Sequence, residues 1–164
     1  MKKIILLLLS SFFINSINAQ TSLDYALYEK ICEYRTQNNL PCWVWNSDVW
    51  LVANSHSLYQ VEKGEMGHYE SNLIRFRVGN RFTYHGIPWN YAAENCAVTD
   101  VSGLTTEEMA TKILELWKAS PGHNGLLLST LPESGAVSCV KGSDYKWSHD
   151  HQWWAYATLN VCEQ

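Results

Sequence analysis

The chain has 164 residues and carries 12 basic against 16 acidic side chains, a formal charge of −4. Without residues 1–19, whose only charges are Lys2 and Lys3, the balance is 10 to 16, with no run of either sign. That argues against a basic face for nucleic acid, and 145 residues suffice for one domain with a real core but not comfortably for two.

The chain opens MKKIILLLLSSFFINSINAQ. Two lysines, then an apolar region from Ile4 to Leu9 and Phe12 to Ile14, then Ile17 and Ala19 before Gln20, read as a secretory signal peptide over residues 1–19. The apolar part is too short to span a bilayer, and the mature part holds no second one, so the expectation is a secreted or periplasmic protein with a single domain over 20–164. All five cysteines, Cys32, Cys42, Cys96, Cys139 and Cys162, lie in that mature part. Their wide spacing fits disulfide staples rather than a redox pair or zinc knuckle, and the odd number leaves at least one outside any internal bridge. Eight tryptophans and nine tyrosines form a large aromatic payload for a core or a lined groove.

Ser22 to about Gln37 predicts a helix, with Leu23, Leu27, Ile31 and Tyr34 on one stripe. NNLPCWVWN reads as a loop into a second helix, Ser47 to about Lys63, stopped by Gly64 and Gly67. From Met66 to Thr99 no period is sustained, and short turns are expected with a brief extended piece at Cys96–Val98. Thr105 and Glu108 form a capping box, and Met109, Ile113, Leu116 and Trp117 give the stripe of a third helix that Pro121 and Gly122 are expected to end. ESGAVSCVKG and HQWWAYATLNVC, joined by a polar turn at Gly142–Asp144, predict an antiparallel hairpin. Helices early and strands late, with no strand–helix–strand repetition, give an α+β fold.

There is no HExxH, no GxSxG and no phosphate-binding glycine fingerprint. What remains are polar groups beside sharp turns. His68 follows a glycine past a helix end, and is either a reachable imidazole or a brace for the loop. Glu94 sits in an apolar run, where a buried carboxylate needs a partner. His123 follows Ser-Pro-Gly at the end of the strongest helix. His56 lies on the buried stripe of its helix and reads as core packing, whereas His149 and His151 around Asp150 read as a solvated hairpin end. Ser71 and Ser120 are nucleophiles by residue type alone. Two imidazoles and a carboxylate suffice to hold a divalent ion, zinc or another, with water completing the shell.

ICEYRTQNNLPCWVWN, ANSHSLYQVEKGEMGHYES, AAENCA, LWKASPGHNGLLL and the closing aromatic strand, in that order, resemble the CAP superfamily over residues 24–161. This group comprises the cysteine-rich secretory, antigen 5 and pathogenesis-related 1 proteins, also called SCP-like, and the resemblance is to its compact, mostly bacterial branch. It implies a three-layer α-β-α sandwich with a small antiparallel sheet, and a cleft floored by two histidines and two glutamates. Matched by motif, these are His68, Glu94 and His123. The fourth position, five residues before Trp117, is Lys112, and a lysine there would compete with a cation; Glu108 or Glu115 would replace it only if the helix were shifted. Ala93 stands where the family usually has glycine.

The resemblance also implies a secreted domain that binds a small apolar ligand, a glycan or a protein, with a cleft able to hold a divalent metal. Two alternatives stay open. One is a metal-assisted hydrolase, peptidase or cell-wall enzyme, with His68 and His123 on zinc and Glu94 as base. The other is an interaction module in which those residues only brace the core.

Overall fold

The protein is described from a computed structural model covering residues 20–143 and 153–164. The expected signal segment and the expected polar turn with His149, Asp150 and His151 lie outside the described residues. The elements, in chain order, are α1 (Ser22–Gln37), β1 (Val44–Trp45), α2 (Ser47–Lys63), a 3-10 turn (Leu73–Arg75), α3 (Val78–Tyr84), β2 (Tyr91–Asp100), α4 (Thr106–Ala119), α5 (Pro121–Leu127), β3 (Ser134–Gly142) and β4 (Trp154–Glu163). Among the described residues no helix is long and apolar enough to cross a membrane.

The helices begin where the sequence supplies caps. Thr21 and Asp24 box the start of α1, Asn46 caps α2, and Thr105 with Glu108 boxes α4, the Thr105 N–H donating to Glu108 Oε2 at 2.8 Å. Gly64 ends α2 in the left-handed conformation, at φ 62°, which a side chain would disfavour. The stripe of α4 is Met109, Ala110, Ile113, Leu114 and Trp117, while Leu116 is exposed. Pro121 and Gly122 end α4, yet Pro121 also opens α5, because proline at the first helical position gives up an N–H that would be unpaired anyway. His123 therefore stands on a short helix rather than in a loop.

The sheet has the order β1-β3-β4-β2. β3–β4 and β4–β2 are antiparallel, as the hairpin reading expects, and the two-residue β1 adds a parallel pair at Val44–Ser134. β2 is an unbroken ten-residue strand, far longer than the Cys96–Val98 piece expected. Its period is hidden because the side chains that face one helix layer include Asn95 and Thr99 among small alanines and those that face the other include Glu94.

One face of the sheet, built of Ala97, Val137, Cys139, Ala157, Leu159 and Val161, packs on Leu27 and Ile31 of α1, Ile113 and Trp117 of α4, and Leu127 of α5. Each such aliphatic side chain contributes about 1.5–3 kcal/mol by burial. The other face meets α2 and α3 and is largely polar. Ser57 Oγ donates to the Ser138 carbonyl at 3.1 Å, Gln60 Nε2 to Thr158 Oγ1 at 3.0 Å, and Ser138 Oγ to Asn54 Oδ1 at 3.0 Å. A smaller apolar cluster there holds Val49, Val52, Phe82 and Ala136. Helices on both faces of one small sheet make the three-layer α-β-α sandwich.

Cys32 and Cys42 form a disulfide across 10 residues, tying α1 to the loop after it; Cys96, Cys139 and Cys162 are free and buried. Arg35 secures the same region, donating to the Pro41, Leu127 and Ser129 carbonyls at 2.9, 2.7 and 2.9 Å with its guanidinium 3.9 Å from the Trp43 ring centre.

Candidate functional site

β2 is an edge strand, paired with β4 on one side only. Beyond its other side, the loop after α2 and the short α5 reach around from opposite layers and leave a cleft of about 500 Å³. Its lining includes His68, Tyr91, Glu94, Asn95, His123 and Gly125. The rings of His68 and His123 stand 6.2 Å apart between centres. Asn95 Nδ2 donates to the His123 carbonyl at 2.9 Å and so fixes α5 against the strand.

Glu94 lies beneath His68. Its side chain is 3% exposed against 45% for His68, whose Nδ1 donates to Glu94 Oε1 at 3.1 Å. Arg81, fully buried on α3, donates through Nη2 to Glu94 Oε2, and the Asn160 amide, oriented to satisfy both its ends, donates to the same oxygen at 3.1 Å. Burial pushes the Glu94 carboxyl up, but the His68 hydrogen bond and the Arg81 and His56 charges outweigh it and hold the group below the usual carboxylate range. Glu94 is therefore an ionised anchor.

A second buried carboxylate, Glu70, completes the network. Arg75 approaches it through Nε at 2.9 Å and Nη2 at 3.1 Å, and Arg81 Nε lies 3.9 Å away. His56, fully buried on α2, joins the two acids: Nε2 donates to the Gly67 carbonyl at 2.8 Å, Nδ1 lies 3.0 Å from Glu70 Oε1, and Nε2 stands 3.8 Å from Glu94 Oε1. The expectation of core packing for His56 holds for its position, but its partners are polar. Both of its ring nitrogens are thus taken up by buried partners.

His123 contrasts with His56. Burial, then the neighbouring His68 charge, lowers its pKa below the ordinary histidine range, so near neutral pH it is uncharged with a lone pair to offer. Among the described residues no hydrogen bond engages His68 Nε2 or either ring nitrogen of His123. His56, Glu94 and Cys96 also form a compact donor set, with ligand atoms within 4.8 Å of one another, close enough to hold one divalent ion. Loading it would require displacing the His56 bonds and deprotonating a thiol that burial, then the Glu94 charge, push well above its usual range.

The remaining candidates lie elsewhere. Lys112 does not face the cleft: its Nζ donates to the Asp100 carbonyl at 2.8 Å, at the far end of β2. Glu108 serves the α4 capping box, and Glu115 pairs with Lys118 at 2.6 Å, so neither replaces it. Ser71 meets Tyr59, and neither Ser71 nor Ser120 lines the cleft. Glu70, Arg81, Arg75 and Asn160 escape sequence reasoning. The available signal was RFRVGNR, three arginines in seven residues bounded by buried-type apolar groups, which demands buried acids nearby. A second hollow, of about 440 Å³, lies by the start of α4 and is lined by Val101, Gly103, Leu104, Met109, Lys141 and Trp153.

The fold, helices on both faces of one small sheet, is similar to that of solved extracellular and surface proteins. The chain is similar to an extracellular protein containing an SCP domain from Bacillus anthracis, at TM-score 0.64 and 20% identity over 87% of this chain and 40% of that one. It is equally similar to an outer surface protein from Borrelia burgdorferi, at TM-score 0.63 and 18% identity over 88% of this chain and 97% of that one. A cysteine-rich secretory protein from Staphylococcus aureus gives TM-score 0.55 and 19% identity over 90% and 41%. The chain thus spans about two-fifths of the Bacillus and Staphylococcus proteins and nearly all of the Borrelia one. No family model and no curated protein matches the sequence. These likenesses show that the chain shares the fold of these proteins.

Proposed function

We propose that this is a secreted ligand-binding domain whose cleft holds a divalent cation between His68 and His123. The observation that carries the reading is the pair of imidazoles 6.2 Å apart across the cleft, with His68 Nδ1 fixed on Glu94. That spacing leaves room for an ion at nitrogen–metal distances of about 2.0–2.1 Å. A carboxylate behind a ligating histidine orients the ring and strengthens it as a ligand. Glu94 takes that supporting part, because Arg81 and Asn160 already occupy its second oxygen. Secretion is supported by the opening segment, by the disulfide and by the extracellular and surface descriptions of the similar proteins.

Zinc binding to chelator-stripped protein tests the reading. Saturable binding by isothermal titration is expected, weakened at least about tenfold by His68→Ala and again by His123→Ala. An unchanged titration in the double variant would sink it. A hydrolytic role has one observation in its favour: two protein ligands leave coordination positions open for water, whose pKa a bound zinc would lower. With Glu94 committed to its partners, the base in that case would have to be a group other than Glu94.

A further inference from the structure

The cleft wall opposite the histidine pair is a strand edge, and its main chain points to an occupant. In an antiparallel ladder alternate residues turn their N–H and C=O toward the neighbouring strand, and the others turn them outward. The Val101 N–H donates to the Trp153 carbonyl at 2.8 Å, which sets the odd-numbered residues of this strand facing β4 and the even-numbered ones facing out. The caps agree. Trp117 Nε1 donates to the Cys96 carbonyl at 3.2 Å and Lys112 Nζ to the Asp100 carbonyl at 2.8 Å, so α4 closes the far half of the edge.

Ala92 and Glu94 share that outward parity, and no described residue bonds their outward main-chain groups. Glu94 is half-buried as a residue although its side chain is 3% exposed, so what it presents to the cleft is backbone. Across the cleft lie Gly122 and Gly125, where an added Cβ would meet nothing within 4 Å. At these two positions of α5 no side chain projects toward the uncapped edge. An open N–H and C=O row is a template for one chemistry above others, another strand.

We propose that the cleft takes an extended segment of a partner polypeptide, added as a strand to the Ala92–Glu94 edge of β2. Three residues span about 10 Å, enough for two residues of the edge to exchange hydrogen bonds with the incoming chain. The proposal names the occupant of the cleft read above as a binding site, and it does not require the ion.

The test uses the full mature chain in chelator, panned against a display library of random decapeptides, with Gly125→Leu as the reference surface. The Cβ added at 125 meets nothing within 4 Å and leucine favours the helix more than glycine does, so the variant's urea midpoint should not fall below the parent's. A recovered peptide is then synthesised with N-methyl groups on alternate residues. One phase of methylation should weaken binding at least about tenfold and the other much less, as strand addition requires. Amide exchange at Ala92 and Glu94 should slow in the complex. If no peptide is retained above the Gly125→Leu background, or if neither phase of methylation matters, the inference falls. Peptide failure with intact zinc binding rejects the strand partner alone, whereas zinc failure with intact peptide binding rejects the ion alone.

Discussion

The two faces of the sheet are built on opposite principles. Toward α1 and α4 the strands present mostly alanine, valine, leucine and cysteine, and close packing dominates, with Asn95 a polar exception. Toward α2 and α3 they present Ser138, Thr158, Asn160 and Glu94, each satisfied by a specific partner. A protein seeking only stability would make both faces alike, because a buried ion pair is often no better than a well-packed apolar pair. The polar face buys orientation instead: it fixes Glu94, which fixes His68 at the cleft. The apolar face holds α5 in place through Leu127, and so carries His123. The cleft is where the two kinds of packing meet around the open edge of β2.

The sharpest way to break this contrast is one substitution on each face. Arg81→Met removes a fully buried guanidinium and leaves Glu94 and Glu70 with less compensation, and the expected cost is about 3–5 kcal/mol. Leu127→Ala should cost a similar amount, about 2–5 kcal/mol, from the cavity left. Both are read from urea unfolding. They should part on the pH dependence of stability, which only Arg81→Met should alter. An Arg81→Met cost under about 1 kcal/mol would mean that the network is not built around this arginine.

Glu94→Gln probes the same face more gently. The folded carboxyl lies below its unfolded value, so its contribution is complete above the unfolded pKa, about 4.3, and is lost as pH falls through the folded value. The parent should therefore lose stability on acidification below about pH 5, and the variant should show a shallower slope over that window. The lowered pKa of His123 has the same sign at a higher window: its share is lost as pH falls below about 6.5, and Glu94→Gln should leave that part in place. Equilibrium unfolding at a series of pH values separates the two. Equal slopes for parent and variant below pH 5 would show that Glu94 titrates normally.

The same contrast explains what could be read in advance. α1, α2 and α4 were legible because each lays an apolar stripe on the sheet and begins at a recognisable cap, and the β3–β4 hairpin because its residues suit strands. β2 was not, since Glu94 and Asn95 sit where an alternating pattern would have placed apolar groups, and the alanines beside them carry no strong preference. α5 was missed because Pro-Gly reads as a stop when proline can equally be a first residue. His68, Glu94 and His123 could be grouped only through the resemblance, since positions 68, 94 and 123 meet by topology. Glu70, Arg81 and Asn160 leave no periodic trace at all. Buried ion pairs are specified by partners distant in sequence, and a pattern search sees each as an ordinary surface charge.

Lys112 offers the smallest expected effect and the cleanest discrimination. The resemblance places an acid at this position, facing the cleft, and a lysine there would repel a cation. In the structure the side chain runs instead along α4 to the end of β2, where its Nζ caps the Asp100 carbonyl in solvent. An exposed cap of this kind contributes about 0.5 kcal/mol or less, so Lys112→Met should barely move the urea midpoint. Zinc affinity should also stay within about a factor of three, since a charge at the far end of the strand is screened by water from the imidazoles. A clear rise in zinc affinity would mean that the ammonium spends its time at the cleft mouth. A competing cation would then stand at the cleft mouth, and the two-histidine site would need to be redrawn around it.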